Sequence, residues 1–186
     1  MFLPFIFLLF GCTAVEGHPA GQVVAAAPFE IRQWVENNFA GNKIPPFSFN
    51  FAGKNSKTFL TKWKYQAERR ESSNFSTHEI VYTYSDPNKG LVVKCQVIWY
   101  DDFPAVEWVL KFSNPSNRNS PLLDKVDAVH HLFSHDQSGP FILHHANGCN
   151  TLRTDFQPFD RELKIGNSVY MTPDGGRSSG GSMAFP

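Results

Sequence analysis

Phe47-Ser48-Phe49-Asn50-Phe51 puts an aromatic ring at every second position. In an extended strand side chains alternate between faces, so this period yields one continuous apolar face. A helix would scatter the same rings around its axis. Gly53-Lys54-Asn55 turns the chain, and further strands are expected over 58–67, 78–84, 91–100, 105–112, 122–133 and 141–145. Ile80, Tyr82 and Tyr84 repeat the period, as do Val106, Trp108 and Leu110, with Glu107 and Lys111 on the more polar side. Asp86-Pro87-Asn88-Lys89-Gly90, Asp101-Asp102-Phe103-Pro104, the polar run 114–121 and Ser138-Gly139-Pro140 separate these runs, each built from residues that turns favour. Many strands, regular turns and no helical period beyond residue 40 predict an all-β fold: an antiparallel β-sandwich of two large sheets.

Upstream the pattern differs. Met1 to Gly11 is almost wholly apolar, too short to span a bilayer and of the length of an export signal's apolar region. Leu9-Phe10-Gly11-Cys12 resembles the lipobox of bacterial lipoproteins, which makes Cys12 a lipidation candidate; cleavage after Ala14 or Gly17 is the other route. Both imply export to the periplasm or beyond, or a lipid anchor in the envelope. The sequence thus divides into a signal over 1–17, a linker and short helix over 18–44, and a sandwich domain over 45–186. Within the linker, Pro28 suits a first helical turn, and Phe29, Ile31, Trp34, Val35 and Phe39 share one helical face, ending near Gly41. Trp34 is read as packing on the sandwich.

Lys plus Arg and Asp plus Glu both total 17, so the net charge is zero and nucleic acid is not an expected partner. Cys95 and Cys149 either pair in an oxidising compartment or stay as buried thiols; spacing does not decide. His130, His131, His135, His144 and His145 invite a metal, but His131 and His135 on one strand would stand about 13 Å apart, so no metal or other cofactor is expected. No G-x-S-x-G marks a serine nucleophile. Glycosidase chemistry requires two opposed carboxylates, and Asp101, Asp102, Glu107, Asp155 and Asp160 qualify only by residue type. Trp63, Trp99 and Trp108 are the aromatic side chains that could face a glycan.

Pro46-Phe47-Ser48-Phe49, Gly53-Lys54 with Ser56, Gly90-Leu91, Phe103 through Trp108, Asn114, Asp155-Phe156 and Gly175-Gly176-Arg177-Ser178-Ser179, taken in order over residues 45–186, resemble bacterial α-galactosidases of glycoside hydrolase family thirty-six. The resemblance implies that this chain corresponds to that family's N-terminal β-supersandwich, a fragment ending before the catalytic (β/α)-barrel. The whole enzyme would cleave terminal α-galactosides with retention, using two carboxylates about 5 Å apart. Neither has a counterpart in this chain, so no catalytic residue is assigned and Glu107 is expected to be structural. The missing barrel, an α-galactoside or other glycan, and a second copy in a homo-oligomer are the expected partners. Near the barrel's pocket the resemblance places Arg177 first, as a donor fork for sugar hydroxyls, and Asp155 second; an ion pair between them, or turn capping, is the competing role. A stand-alone glycan-binding sandwich, anchored through Cys12, is the alternative from another functional class.

Overall fold

The computed structural model describes residues 6–9, 28–41, 43–71, 76–88, 90–133, 140–172 and 181–183. In chain order the elements are β1 (Ile6–Leu9), α1 (Pro28–Phe39), β2 (Ser48–Phe51), β3 (Lys54–Asn55), short 3-10 turns at Ser56–Thr58 and Leu60–Lys62, β4 (Lys64–Arg70), β5 (Thr77–Ser85), β6 (Val92–Tyr100), β7 (Ala105–Ser113), β8 (Leu123–Asp127), β9 (Phe141–Asn147), β10 (Pro158–Leu163) and β11 (Ser182–Met183). The chain forms two compact units, Met1–Leu132 and Phe133–Pro186. It is mostly strand, every pairing is antiparallel, and α1 is the one α-helix among the described residues, as an all-β sandwich with a short helix requires.

In the first unit β1-β7-β6-β5-β4 make a five-stranded sheet and β3-β2-β8 a three-stranded one. The expected pair of large sheets is therefore one large and one small sheet in this unit. Register explains the core. Ile80, Val97 and Trp108 sit opposite one another across β5, β6 and β7, as do Tyr82, Cys95 and Leu110 in the next inward row and Tyr84, Val93 and Phe112 in the one after. All but the half-buried Phe112 are buried. The opposite face carries a polar ladder in which Gln96 donates to Glu79, Lys111 to Gln96, and Arg70 pairs with Glu79. Antiparallel neighbours thus turn the period of each strand into a two-faced sheet.

Two lids cover the apolar face. Helix α1 contributes Ile31, Val35 and Phe39, spaced by four residues; Phe39 stacks on Tyr82 at 5.8 Å and meets Trp108 edge-on at 5.5 Å. Trp34 stacks on Trp108 at 6.3 Å, the packing role read from sequence. Phe47, just ahead of β2, packs against Tyr84, and Phe49 of β2 against Phe112. A fully buried large apolar side chain contributes roughly 1.5–3 kcal/mol, so these rows outweigh any surface ion pair here.

Two expected strands take other forms. Where a strand is expected from residue 58, the chain instead makes the 3-10 turns Ser56–Thr58 and Leu60–Lys62, because Asn55 Oδ1 accepts the Lys57 N–H and the Thr58 hydroxyl donates to the Asn55 carbonyl, curling the backbone before β4 begins. The strand expected over 122–133 ends at Asp127. Lys125 adopts a positive φ of 47°, and beyond β8 the backbone is held by single bonds: Trp108 Nε1 donates to the Ala128 carbonyl and His130 N–H to that of Pro46.

The second unit is a three-stranded sheet, β10-β9-β11. Strands β10 and β11 lie beyond the last strand expected from sequence. Ile6–Leu9, expected within an export signal, pairs by its backbone along Ala105–Trp108 of β7. Cys12 and His135 lie outside the described residues.

Candidate functional site

Three connections meet at one end of the first unit. The β2–β3 hairpin turns through Ala52 and Gly53, both at positive φ (53° and 74°), the paired left-handed geometry of a tight two-residue loop. Beyond it, the 3-10 turns set the Phe59 and Trp63 rings 5.0 Å apart, with Phe51 edge-on to Trp63 at 6.0 Å. The β5–β6 turn is held by Asp86, whose Oδ1 accepts the Asn88 N–H and whose Oδ2 accepts the Gly90 N–H at 3.0 Å. Space at Gly90 is tight: a Cβ on it would stand 3.0 Å from Asp86 Oδ2 and 3.5 Å from the Phe51 ring. The β7–β8 loop is folded on Asn114, which accepts from Ser116 and donates to the Arg118 carbonyl, while the Ala52 N–H donates to the Leu122 carbonyl and ties this loop to the hairpin.

Between these connections lies a cleft of about 600 Å³. Phe51, Phe59 and Trp63 give it an aromatic wall; Lys54, Asn88, Ser116, Arg118 and Asn119 add polar groups. Asp86 is the acidic residue in the lining, and its oxygens already serve backbone N–H groups. Aromatic rings beside amide and cationic donors suit a ligand with apolar faces and hydroxyl edges.

Of the three tryptophans that could face a glycan, Trp63 is half-buried in this wall. Trp99 and Trp108 are core instead, 4% and 1% exposed, because their register places them on the inward face of the large sheet. Sequence reasoning missed Phe59, Asn88, Ser116, Arg118 and Asn119 as neighbours. Their signal was only the turn chemistry of three separate segments.

Of the five carboxylates considered for hydrolysis, Asp101, Glu107, Asp155 and Asp160 have individual partners. Asp101 accepts from His78 at 2.7 Å, beneath a ring that stacks on Trp99. Tyr100 donates to Glu107 at 2.5 Å; this bond, with burial and the carboxylate's charge behind it, pushes the phenol up to about 12. Asp160 faces His144 across β9 and β10 at 2.6 Å. Asp155 accepts the backbone N–H groups of Asn150, Thr151 and Leu152, and these bonds, that from Asn150 foremost, hold its carboxyl below the usual range. That is the turn-capping geometry. Arg177 lies outside the described residues.

Ser48, Asp127 and His130 form a constellation that the sequence conceals. Ser48 Oγ donates to Asp127 Oδ2 at 2.9 Å and lies 2.8 Å from His130 Nδ1. With the hydroxyl hydrogen spent on Asp127, Nδ1 is the donor to Oγ and not a base poised to take its proton. Ser48 is moreover fully buried. The trio therefore brackets β2 to the end of β8 and does not form a nucleophilic triad. His131 packs edge-on against Trp34, and burial, with Lys57 nearby, lowers its pKa. Among the described residues no three His, Cys, Asp or Glu side chains could hold a metal ion, and Cys95 and Cys149 are both free thiols, the first fully buried and raised in pKa by that burial. No described helix is long and apolar enough to cross a membrane.

Set against protein-family models, curated proteins and solved structures, the chain matches none.

Proposed function

We propose that this chain is a non-catalytic, glycan-binding β-domain, and that it serves as the N-terminal supersandwich of an α-galactosidase-like glycoside hydrolase. The observation that carries the binding role is the cleft, whose lining combines aromatic rings with amide and cationic donors. Sugar rings present C–H faces that pack on aromatic rings and hydroxyl edges that such donors bind. Support for the enclosing enzyme is the ordered set of short motifs between residues 45 and 186. Chemistry then belongs to the barrel, which would supply both carboxylates, while this domain holds the polymer near it. In that setting Arg177 and Asp155 are proposed at the rim of the barrel's pocket, and Cys12 as the lipid anchor of an exported enzyme.

Trp63 provides the test. The purified chain is titrated with a panel of neutral and acidic oligosaccharides, following tryptophan fluorescence and the amide resonances of Asn88 and Ser116. Saturable shifts are expected with at least one saccharide and are expected to weaken about tenfold or more in Trp63→Ala, the loss of one aromatic stacking surface. Silence across the whole panel would overturn the binding role. Release of nitrophenol from an α-galactoside chromophore by this chain alone would overturn its non-catalytic assignment.

A further inference from the structure

Neutral overall charge conceals a local imbalance beside the cleft. Between Ala52 and Ala67 the chain carries Lys54, Lys57, Lys62 and Lys64 with no acidic residue, and the run from Asn114 to Pro121 carries Arg118 with none. Two of these cations, Lys54 and Arg118, line the cleft from separate connections. Both residues are exposed, and neither head group makes a hydrogen bond or ion pair among the described residues. The charge opposing them in the lining is Asp86, whose two oxygens already accept backbone N–H groups. A neutral sugar can use these two head groups only as donors to its hydroxyls, whereas a carboxylate or sulfate would also offset their charge.

Resting on the glycan-binding reading above, we propose that the cleft selects anionic saccharides, sugars bearing a carboxylate or a sulfate ester. Trp63 and Phe59 take the apolar ring face, while Lys54 and Arg118 take the anion. Arginine's planar fork matches both carboxylate and sulfate oxygens, and lysine adds a mobile point charge. Such a site is compatible with a galactosidase, since a non-catalytic cleft reads the decoration of a polymer and not the bond that is cleaved. A single-stranded nucleic acid also combines anions with flat rings, but it needs a track of phosphate contacts along a groove, whereas two cations lining one cleft match one or two anionic groups.

The experiment compares stachyose, an oligogalacturonide, a sulfated galactan oligosaccharide and a short oligothymidylate by titration calorimetry on the full chain. At least one acidic saccharide is expected to bind roughly tenfold or more tighter than stachyose, as one charge-assisted hydrogen bond would give. That preference should shrink as salt rises. Lys54→Gln and Arg118→Gln, both at exposed positions, should each cut the preference several-fold, and the double variant should bring the ratio close to one. Which acidic sugar binds distinguishes carboxylate from sulfate. Equal affinity for stachyose and both acidic sugars, or a preference that survives the double variant, overturns the selectivity and leaves glycan binding standing. Binding of no saccharide overturns both. Tighter binding of the oligothymidylate than of either acidic sugar overturns the proposal in favour of nucleic acid.

Discussion

Strands β6 and β9 each run between two antiparallel neighbours, yet they live in different physical regimes. Strand β6 buries Val93, Cys95, Val97 and Trp99 in strict alternation; β9 buries only Ala146 and leaves Phe141 and Ile142 each 43% exposed. The same backbone ladder therefore exists with and without a core behind it. In the first unit, burial of aromatic rows supplies the stability. In the second, cross-strand pairs such as His144 with Asp160 and His145 with Phe159 hold the sheet, and each such pair contributes only about 0.2–1 kcal/mol. Strand pairing fixes local shape, and the layer behind the sheet decides how strongly that shape is held.

The largest expected break in this comparison comes from Trp108→Ala. Trp108 is almost fully buried, touches Trp34 and Phe39, and donates to the Ala128 carbonyl, so thermal or urea unfolding of the first unit should lose about 3–5 kcal/mol. Phe159→Ala on β10, where the residue is 37% exposed, should cost about 1 kcal/mol or less. Comparable losses at the two positions would refute the distinction between the units.

Asp86→Ala is expected to have an intermediate effect. It removes acceptors from two turn N–H groups beside a well-packed region, and leaving such donors unsatisfied costs roughly 1–3 kcal/mol. Denaturant titration checks the stability, and retention of the β6 amide protection pattern would show that the injury stays at the turn.

The smallest effect is one of pH, and it sharpens the contrast. Backbone hydrogen bonds to Asp155 lower its folded pKa below the ordinary value of 3.8. Its stabilisation of the 150–152 turn is therefore complete above that value and fades as pH falls through the lower, folded pKa. Protection factors of the Asn150, Thr151 and Leu152 amides should drop in that acid window and not at neutral pH, and Asp155→Asn should abolish the dependence. A midpoint above 3.8 would contradict the assignment.

Much of the first unit was legible because a buried face leaves a period in the sequence. The alternation of Phe47, Phe49 and Phe51 identified an inward face, and the helical spacing of Ile31, Val35 and Phe39 identified its cover. Ser48 escaped the same logic. Period two assigns it to the polar side, but Asp127 and His130, 79 and 82 residues away, let it be fully buried. Strand β10 escaped for the opposite reason: Pro158-Phe159-Asp160-Arg161-Glu162-Leu163 buries nothing, so no period was imposed on it. The cleft was illegible for a third reason. Phe59, Asn88 and Arg118 sit in three turns whose individual chemistry is ordinary, and only the shared end of the sheets brings them together. Trp99 and Trp108 carried the opposite error, since an aromatic side chain that could greet a ligand is equally at home in a core.

The pairing order of the small sheet has a consequence for how the protein is made. Strands β4 to β7 join neighbours in sequence, so each ladder can zip as soon as its turn exists. Strand β2, by contrast, pairs with β8 across more than seventy residues, and closing so long a loop carries an entropic toll that local hairpins avoid. On a ribosome releasing the chain from its amino end, the rings of β2 emerge early and wait, while the loop bearing Arg118 arrives late. The meander is thus the template, and the cleft is among the last features of the first unit that synthesis can complete.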